Sequence, residues 1–201
     1  MRTLTLTGYI DKVIYKNSDN GYTVLELDTP EGTVTAVGTM PLVAEGEQIQ
    51  VEGDYTTHSA YGKQFSVTAF ASCLPAEESS IIRYLSSGIV KGIRAATARK
   101  IVDMFGPDAL DVIETDPQQL TRIKGISPEK AEQMSASMKE NIGIKTILLY
   151  FQRFGMTPGL AFKIFKRWGI GAYERLRQDP YMICQIPGIG FETADAIARS
   201  M

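Results

Sequence analysis

The sequence predicts an α+β protein, with a small β-barrel over residues 1–75 and an all-helical tandem array over residues 76–201. Three observations lead there. The apolar period changes from two to near 3.6 around Pro75. The second half repeats itself at a constant offset, and the two halves carry opposite net charge. Two domains also suit a chain of 201 residues, which is long for one core.

In the first half, Leu4, Leu6, Ile10 and Val13–Tyr15 predict a long bent strand. Tyr22–Leu27 follows Asn20-Gly21, and Thr33–Val37 follows Glu31-Gly32, as strands after turn signals do. Gln48–Glu52 alternates strictly, and Phe65, Val67, Ala69 and Ala71 share one face of a last strand. Five short strands fit a closed barrel of OB type, in which closure removes the exposed edges. The stretch between the third and fourth strands is too short for the helix usual there, so an SH3-like barrel is the alternative. Ala76–Ser80 reads as a linker or helix start, and Ile81, Ile82 and Leu85 open the helical stripe.

The repeat organises the second half. At an offset of 63 residues and with no gap, Ala98, Lys100 and Ile101 fall on Ala161, Lys163 and Ile164, and Phe105-Gly106 falls on Trp168-Gly169. Ala109, Asp116-Pro117, Ile123, Gly125-Ile126 and Ala131 then fall on Ala172, Asp179-Pro180, Ile186, Gly188-Ile189 and Ala194. Each unit holds two glycine hairpins 33 residues apart, Gly92 with Gly125 and Gly155 with Gly188. The array therefore divides into two double units, 80–140 and 141–201.

The fourth hairpin, Ile186-Pro187-Gly188-Ile189-Gly190, shows the chemistry most clearly. Glycines let the chain turn where other residues cannot, and the helix beyond Gly190 begins with amides that have no intrahelical partner. Such amides, at the positive end of the helix dipole, bind a phosphate oxygen. Ile189 plugs the hairpin and Ala194 lets its helices approach. The first hairpin has Arg94 at the second glycine position and the second has Ser127, while Lys91 and Lys124 replace the proline and add a cation. The third, Phe154-Gly155-Met156-Thr157-Pro158, loses an amide to proline and is expected to be architectural. The expected DNA contacts are Lys91, Gly92, Arg94, Thr97, Lys100, Lys124, Gly125, Ser127, Lys130, Gly188, Gly190 and Thr193, with the first unit dominating affinity.

Charge supports that assignment. Residues 1–80 carry four basic and eleven acidic residues, net -7, whereas residues 81–201 are net +5. Cys73, Cys184 and the single His58 are too scattered for a zinc site, and both cysteines are expected to be reduced core residues. The longest apolar run, Ile147–Phe151, is far short of a membrane span, and the N-terminus lacks a signal pattern, so a cytoplasmic location is expected. A Gly-x-x-x-x-Gly-Lys-Ser/Thr loop for a nucleoside triphosphate is absent, no catalytic residue or metal ligand is expected, and the scattered carboxylates do not suit a nuclease.

Thr7-Gly8-Tyr9-Ile10-Asp11-Lys12-Val13, Asn20-Gly21-Tyr22-Thr23-Val24, His58-Ser59-Ala60-Tyr61-Gly62-Lys63-Gln64-Phe65 and the hairpin array together resemble the N-terminal region of the RecD-like bacterial ATP-dependent DNA helicases. The resemblance covers nearly the whole chain. It implies a non-catalytic, sequence-independent DNA-binding region beside a superfamily 1 motor that moves 5' to 3' on single-stranded DNA. ATP and magnesium would then act in that motor, and the partners would be single-stranded or forked DNA and the motor itself, in DNA repair or recombination. Ala198-Arg199-Ser200-Met201 falls within a helix, which suggests a piece of a longer protein. Tyr61 and Lys63 form a possible barrel site, Tyr61 stacking on a base, although a plain hairpin turn with Phe65 in the core accounts for the segment as well. The rival function is a protein-docking or spacer module.

Overall fold

In the computed structural model, which describes residues 3–201, alternating apolar residues produce five strands. They are β1 (Leu4–Lys16), β2 (Tyr22–Thr29), β3 (Gly32–Thr39), β4 (Gln48–His58) and β5 (Gly62–Cys73). They close in the spatial order β1-β2-β3-β5-β4, with β4 antiparallel to β1 and β3 parallel to β5. This is the OB arrangement, and it removes the SH3-like alternative. Ile10, Leu25, Leu27, Ile49, Val51 and Phe65 fill the interior. β4 runs beyond the predicted Glu52 because the pairing shifts register between Glu52 and Gly53. A side chain at Gly53 would stand 1.9 Å from the Ser66 carbonyl oxygen, so glycine is what lets the two strands cross there.

The connection from β3 to β4 has no helix, as its length predicts, and it joins the cores of the molecule. Met40 and Val43 enter the barrel core, Ala44 the core of the first helical unit, and Leu42 packs against the second. Leu42 adopts φ 61°, a left-handed conformation that costs a residue with a side chain on the order of 1 kcal/mol or more. Three hydrophobic contacts made from adjacent residues offset that strain.

The helices are α1 (Glu78–Ser86), α2 (Ala95–Phe105), α3 (Ala109–Thr115), α4 (Pro128–Gln152), α5 (Pro158–Trp168), α6 (Ala172–Gln178) and α7 (Phe191–Ser200). Short 3₁₀ turns at Gly106–Asp108, Pro117–Arg122, Gly169–Gly171 and Pro180–Gln185 complete them. From α2 to the start of α4, every element recurs 63 residues later, from α5 to the start of α7. The expected division between residues 140 and 141 falls inside α4, a single helix of 25 residues shared by both units. Ala131, Met134 and Met138 face the first core, while Ile144, Leu148 and Phe151 face the second. At 100° per residue these stripes lie roughly 120° apart around the helix, so α4 has no single apolar face.

Ionic contacts fix the barrel on the array. Glu47 is wholly buried and pairs with Lys145 of α4, whose ammonium also lies 5.7 Å from the centre of the buried Tyr84 ring. Burial holds the Glu47 carboxyl above its ordinary range against the opposing pull of Lys145, and burial likewise pushes the Tyr84 phenol up. Arg83 and Asp11 pair at 2.8 Å in the open, and Lys166 of α5 donates to the carbonyls of Ser18 (3.0 Å) and Asp19 (3.3 Å) in the β1–β2 loop. Cys73 and Cys184 are free and exposed, not core residues as expected: Cys73 ends β5 and Cys184 lies on the 3₁₀ turn, where the side chain points outward.

Candidate nucleic-acid interface

All four hairpins turn on a glycine in the left-handed region, with φ 88° at Gly92, 100° at Gly125, 74° at Gly155 and 87° at Gly188. A side chain would meet nothing within 4 Å at Gly125, Gly155, Gly188 or Gly190, and only Met134 at 3.8 Å from Gly92. The glycines are therefore needed for the turn, and the space in front of them stays open. Ile93, Ile126 and Met156 are buried beneath their hairpins and Ile189 is partly so. Ala98, Ala131, Ala161 and Ala194 are fully buried where the helices of each module meet.

The amides beyond each hairpin distinguish the modules. Before α2 the capping position is Arg94, and before α7 it is Gly190; neither offers a side-chain cap, so the amides of Ala95–Thr97 and Phe191–Thr193 have no side-chain acceptor from that position. Before α4, Ser127 accepts from the Lys130 amide at 3.3 Å and Pro128 has no amide to give, while an acidic residue stands in the first turn both here, at Glu129, and in α7, at Glu192. The Glu129 carboxyl is held below its usual range by its own backbone amide first and the Ser127 hydroxyl second. Before α5, Thr157 accepts from the Leu160 amide at 3.3 Å, and Pro158 again removes a donor. The hairpins at Gly92 and Gly188 are open, and those at Gly125 and Gly155 cap themselves. Pro128 was the overlooked signal for the second hairpin, since a proline in the first turn of the next helix marks both closed ones.

The other expected contacts separate in the same way. Lys91, Arg94, Lys100, Lys124 and Thr193 are exposed, and Thr97 is half-buried. Lys130 folds back, its ammonium 3.4 Å from the Gly125 carbonyl oxygen, and the Lys91 amide is taken by the Ser137 hydroxyl at 3.0 Å. Lys100, Arg122 and Lys124 line a hollow of about 300 Å³ between α2 and the second hairpin. At the offset of 63, Lys163, Lys166 and Arg167 line a hollow of about 550 Å³ between α5 and the fourth hairpin. The repeat already paired Lys100 with Lys163, so this second cationic site was open to discovery from the sequence alone.

On the barrel, Tyr15, Tyr22, Val37, His58, Tyr61 and Gln64 line a groove of about 480 Å³. Tyr61 is 76% exposed and its ring centre lies 4.9 Å from that of His58. Lys63 does not join it, because its ammonium rests 4.0 Å over the Tyr55 ring. Phe65 is in the core, as the turn reading holds. No group of three or more potential metal ligands gathers among the described residues, and no described helix is long and apolar enough to cross a membrane.

Comparison with known proteins places this architecture. The sequence model for the OB-fold domain of ATP-dependent DNA helicase YrrC matches residues 3–75, and that for the helix-hairpin-helix domain of ATP-dependent RecD2 DNA helicase matches residues 140–201. Barrel and hairpin array are thus each similar to a domain of the RecD2-type DNA helicases. Residues 82–140, between them, match the SAM-like helix-hairpin-helix tandem. The ATP-dependent RecD2 DNA helicase of Deinococcus radiodurans is 29% identical over 202 aligned residues, covering 96% of this chain and 28% of its own length. The chain thus spans well under a third of that RecD2 relative.

Proposed function

We propose that this chain binds DNA without reading its sequence and positions it for a helicase motor, contributing no catalytic residue itself. The observation that carries this reading is the pair of open hairpins, at Gly92 and Gly188, in the half of the chain with net charge +5. Uncapped amides at a helix N-terminus hold a phosphate oxygen, and neighbouring lysines add attraction that does not depend on the base. Lys91, Arg94 and Thr97 serve the first open hairpin and Gly190 and Thr193 the last. Lys100, Lys124 and, through the repeat, Lys163 and Lys166 supply the surrounding positive field. ATP and magnesium act in the motor, outside these residues, and the setting is DNA repair or recombination in the cytoplasm.

The barrel groove adds a single-strand contact. Its exposed Tyr61 and His58 offer flat faces to an unpaired base, a mode of binding that needs no sequence preference. Forked or single-stranded DNA is therefore the substrate of choice. Titrating the chain with single-stranded, duplex and forked DNA over a range of salt concentrations tests the whole reading. Phosphate contact gives affinity that falls steeply with salt. Binding that is absent, or flat with salt, would instead support the protein-docking role.

A further inference from the structure

The second unit carries an aromatic pair that the first unit lacks. Phe191, the first residue of α7 and the neighbour of Gly190, leaves 67% of its surface exposed. Its ring lies parallel to that of Tyr181, with centres 5.5 Å apart and planes 12° from each other. Tyr181 is itself fixed at both ends: its hydroxyl donates to Asp195 at 2.9 Å, and its backbone amide donates to Asp179 at 3.0 Å. Asp195 is in turn held by Arg199 at 2.9 Å. The result is a braced two-ring platform whose outer face is open to solvent.

The repeat supplies an internal control for what this platform is not. Tyr181 and Asp195 correspond, 63 residues earlier, to Gln118 and Glu132, and these also bond, Gln118 donating to Glu132 at 2.7 Å. The brace between the 3₁₀ turn and the following helix is therefore a structural element of both units. Phe191 corresponds to Pro128. The first unit builds the same fold with no aromatic ring at either place, so packing does not require the rings in the second.

Resting on the reading that the Gly188 hairpin holds a phosphate, we infer that Phe191, backed by Tyr181, stacks against an unpaired nucleobase of the same strand. A large apolar face in water beside an anion site is suited to a ligand that presents a phosphate and a flat ring together, and single-stranded nucleic acid does so at every residue. Within a duplex the bases are already stacked on one another, and only the two terminal pairs present a free face. The fourth hairpin thus selects for an unpaired strand, whereas the Gly92 hairpin, lacking a platform, takes either form.

The 201-residue chain is titrated with an oligothymidylate carrying one 2-aminopurine and with a blunt duplex containing the same base. Quenching of the single strand, a roughly tenfold loss of its affinity in Phe191→Ala and Phe191→Leu, recovery in Phe191→Trp, and less than about a twofold change for the duplex are expected. Tyr181→Gln, which restores the first unit's pairing with Asp195, should lose part of the quenching with the helical circular dichroism unchanged. Equal weakening of both ligands by Phe191→Leu, or unaltered single-strand affinity in that variant, overturns the platform. If the parent chain shows no salt-dependent affinity for either ligand, the phosphate reading falls as well. Salt-dependent binding that is indifferent to Phe191 removes the platform alone.

Discussion

The two helical units are built from the same elements at a constant offset, yet they differ in which hairpin is open and in how each meets the barrel. In the first unit the open hairpin comes first, at Gly92, and Ser127-Pro128 closes the second; in the second unit Thr157-Pro158 closes the first hairpin and Gly188 is open. The barrel meets the first unit through the solvent-facing Arg83–Asp11 pair and the buried Ala44, and the second through the buried Glu47–Lys145 pair and the solvent-facing Lys166. One repeated fold can therefore be assigned different tasks by a few substitutions in first turns and at contact points, with the cores left alone. Each unit thus carries one hairpin whose following helix lacks a side-chain cap.

The largest difference should appear at the barrel. Replacing Lys145 by Met leaves a buried carboxylate without its partner and should cost about 3–5 kcal/mol in urea unfolding. Arg83→Ala, which breaks an exposed pair, should cost under about 1 kcal/mol. The Lys145 variant should also show a particular pH dependence. Glu47 has a raised carboxyl in the folded chain, so its contribution to stability is complete below the unfolded value near 4.5 and is lost as pH rises through the folded value. Its deficit should therefore shrink on acidification from about pH 7 toward about pH 5. Equal costs for the two variants would erase the distinction between the anchors.

Next in size is the contrast between open and closed hairpins. Gly92→Val and Gly188→Val each force a side chain into a left-handed turn beside free amides, and each should weaken DNA binding by roughly tenfold. Gly155→Val imposes the same strain on a hairpin already capped and should change affinity by less than about twofold beyond any loss of fold, which circular dichroism monitors. A Gly155 variant as defective as the other two would show that openness does not decide binding.

Cations come third. Lys91→Ala with Lys124→Ala should weaken binding alike on unrelated sequences and flatten the salt slope by about one for each phosphate no longer neutralised. Lys163→Ala with Arg167→Ala should do the same from the other unit. A slope change confined to the first pair would restore the dominance of the first unit.

The smallest effect belongs to the caps. Ser127→Ala and Thr157→Ala should each cost about 1 kcal/mol of stability while leaving DNA affinity unchanged or slightly higher, since a donor is released rather than removed. Weaker binding by Ser127→Ala would mean that its hydroxyl meets DNA instead of the Lys130 amide.

What the sequence made legible was whatever depends on neighbours in the chain. Alternation at Gln48–Glu52, the glycines of the four hairpins and the small Ala98, Ala131 and Ala194 all report local geometry, and the structure has strands, turns and close helix contacts at those places. The OB topology required knowing that β1 meets β4 and β3 meets β5, which alternation cannot supply. Nothing local marks Lys145, because its partner Glu47 is 98 residues away. The groove lined by Tyr15, Tyr22 and Tyr61 was hidden for the same reason, as its members come from different strands. Cys73 and Cys184 read as core residues because of their type, while their exposure was decided by where β5 and a 3₁₀ turn end. Pro128 lay in plain view beside Ser127, but its effect falls on the turn after the hairpin and not on the hairpin itself.

The continuous α4 sets the phase between the two grips. The centres of its two stripes are about 13 residues apart, hence about 20 Å along its axis, and every residue between them adds roughly 100° of rotation. Asn141, at the crossover, bonds the Ile89 carbonyl at 2.6 Å and so ties that angle to the first hairpin. A single residue inserted between Lys139 and Gly143 would swing the second unit through more than a quarter turn, pulling Lys145 from Glu47 and Lys166 from the β1–β2 loop. Length along this stretch is therefore as restricted as the identity of any glycine: the helix works as a keyed shaft, and the spacing of the two open hairpins is recorded in its residue count.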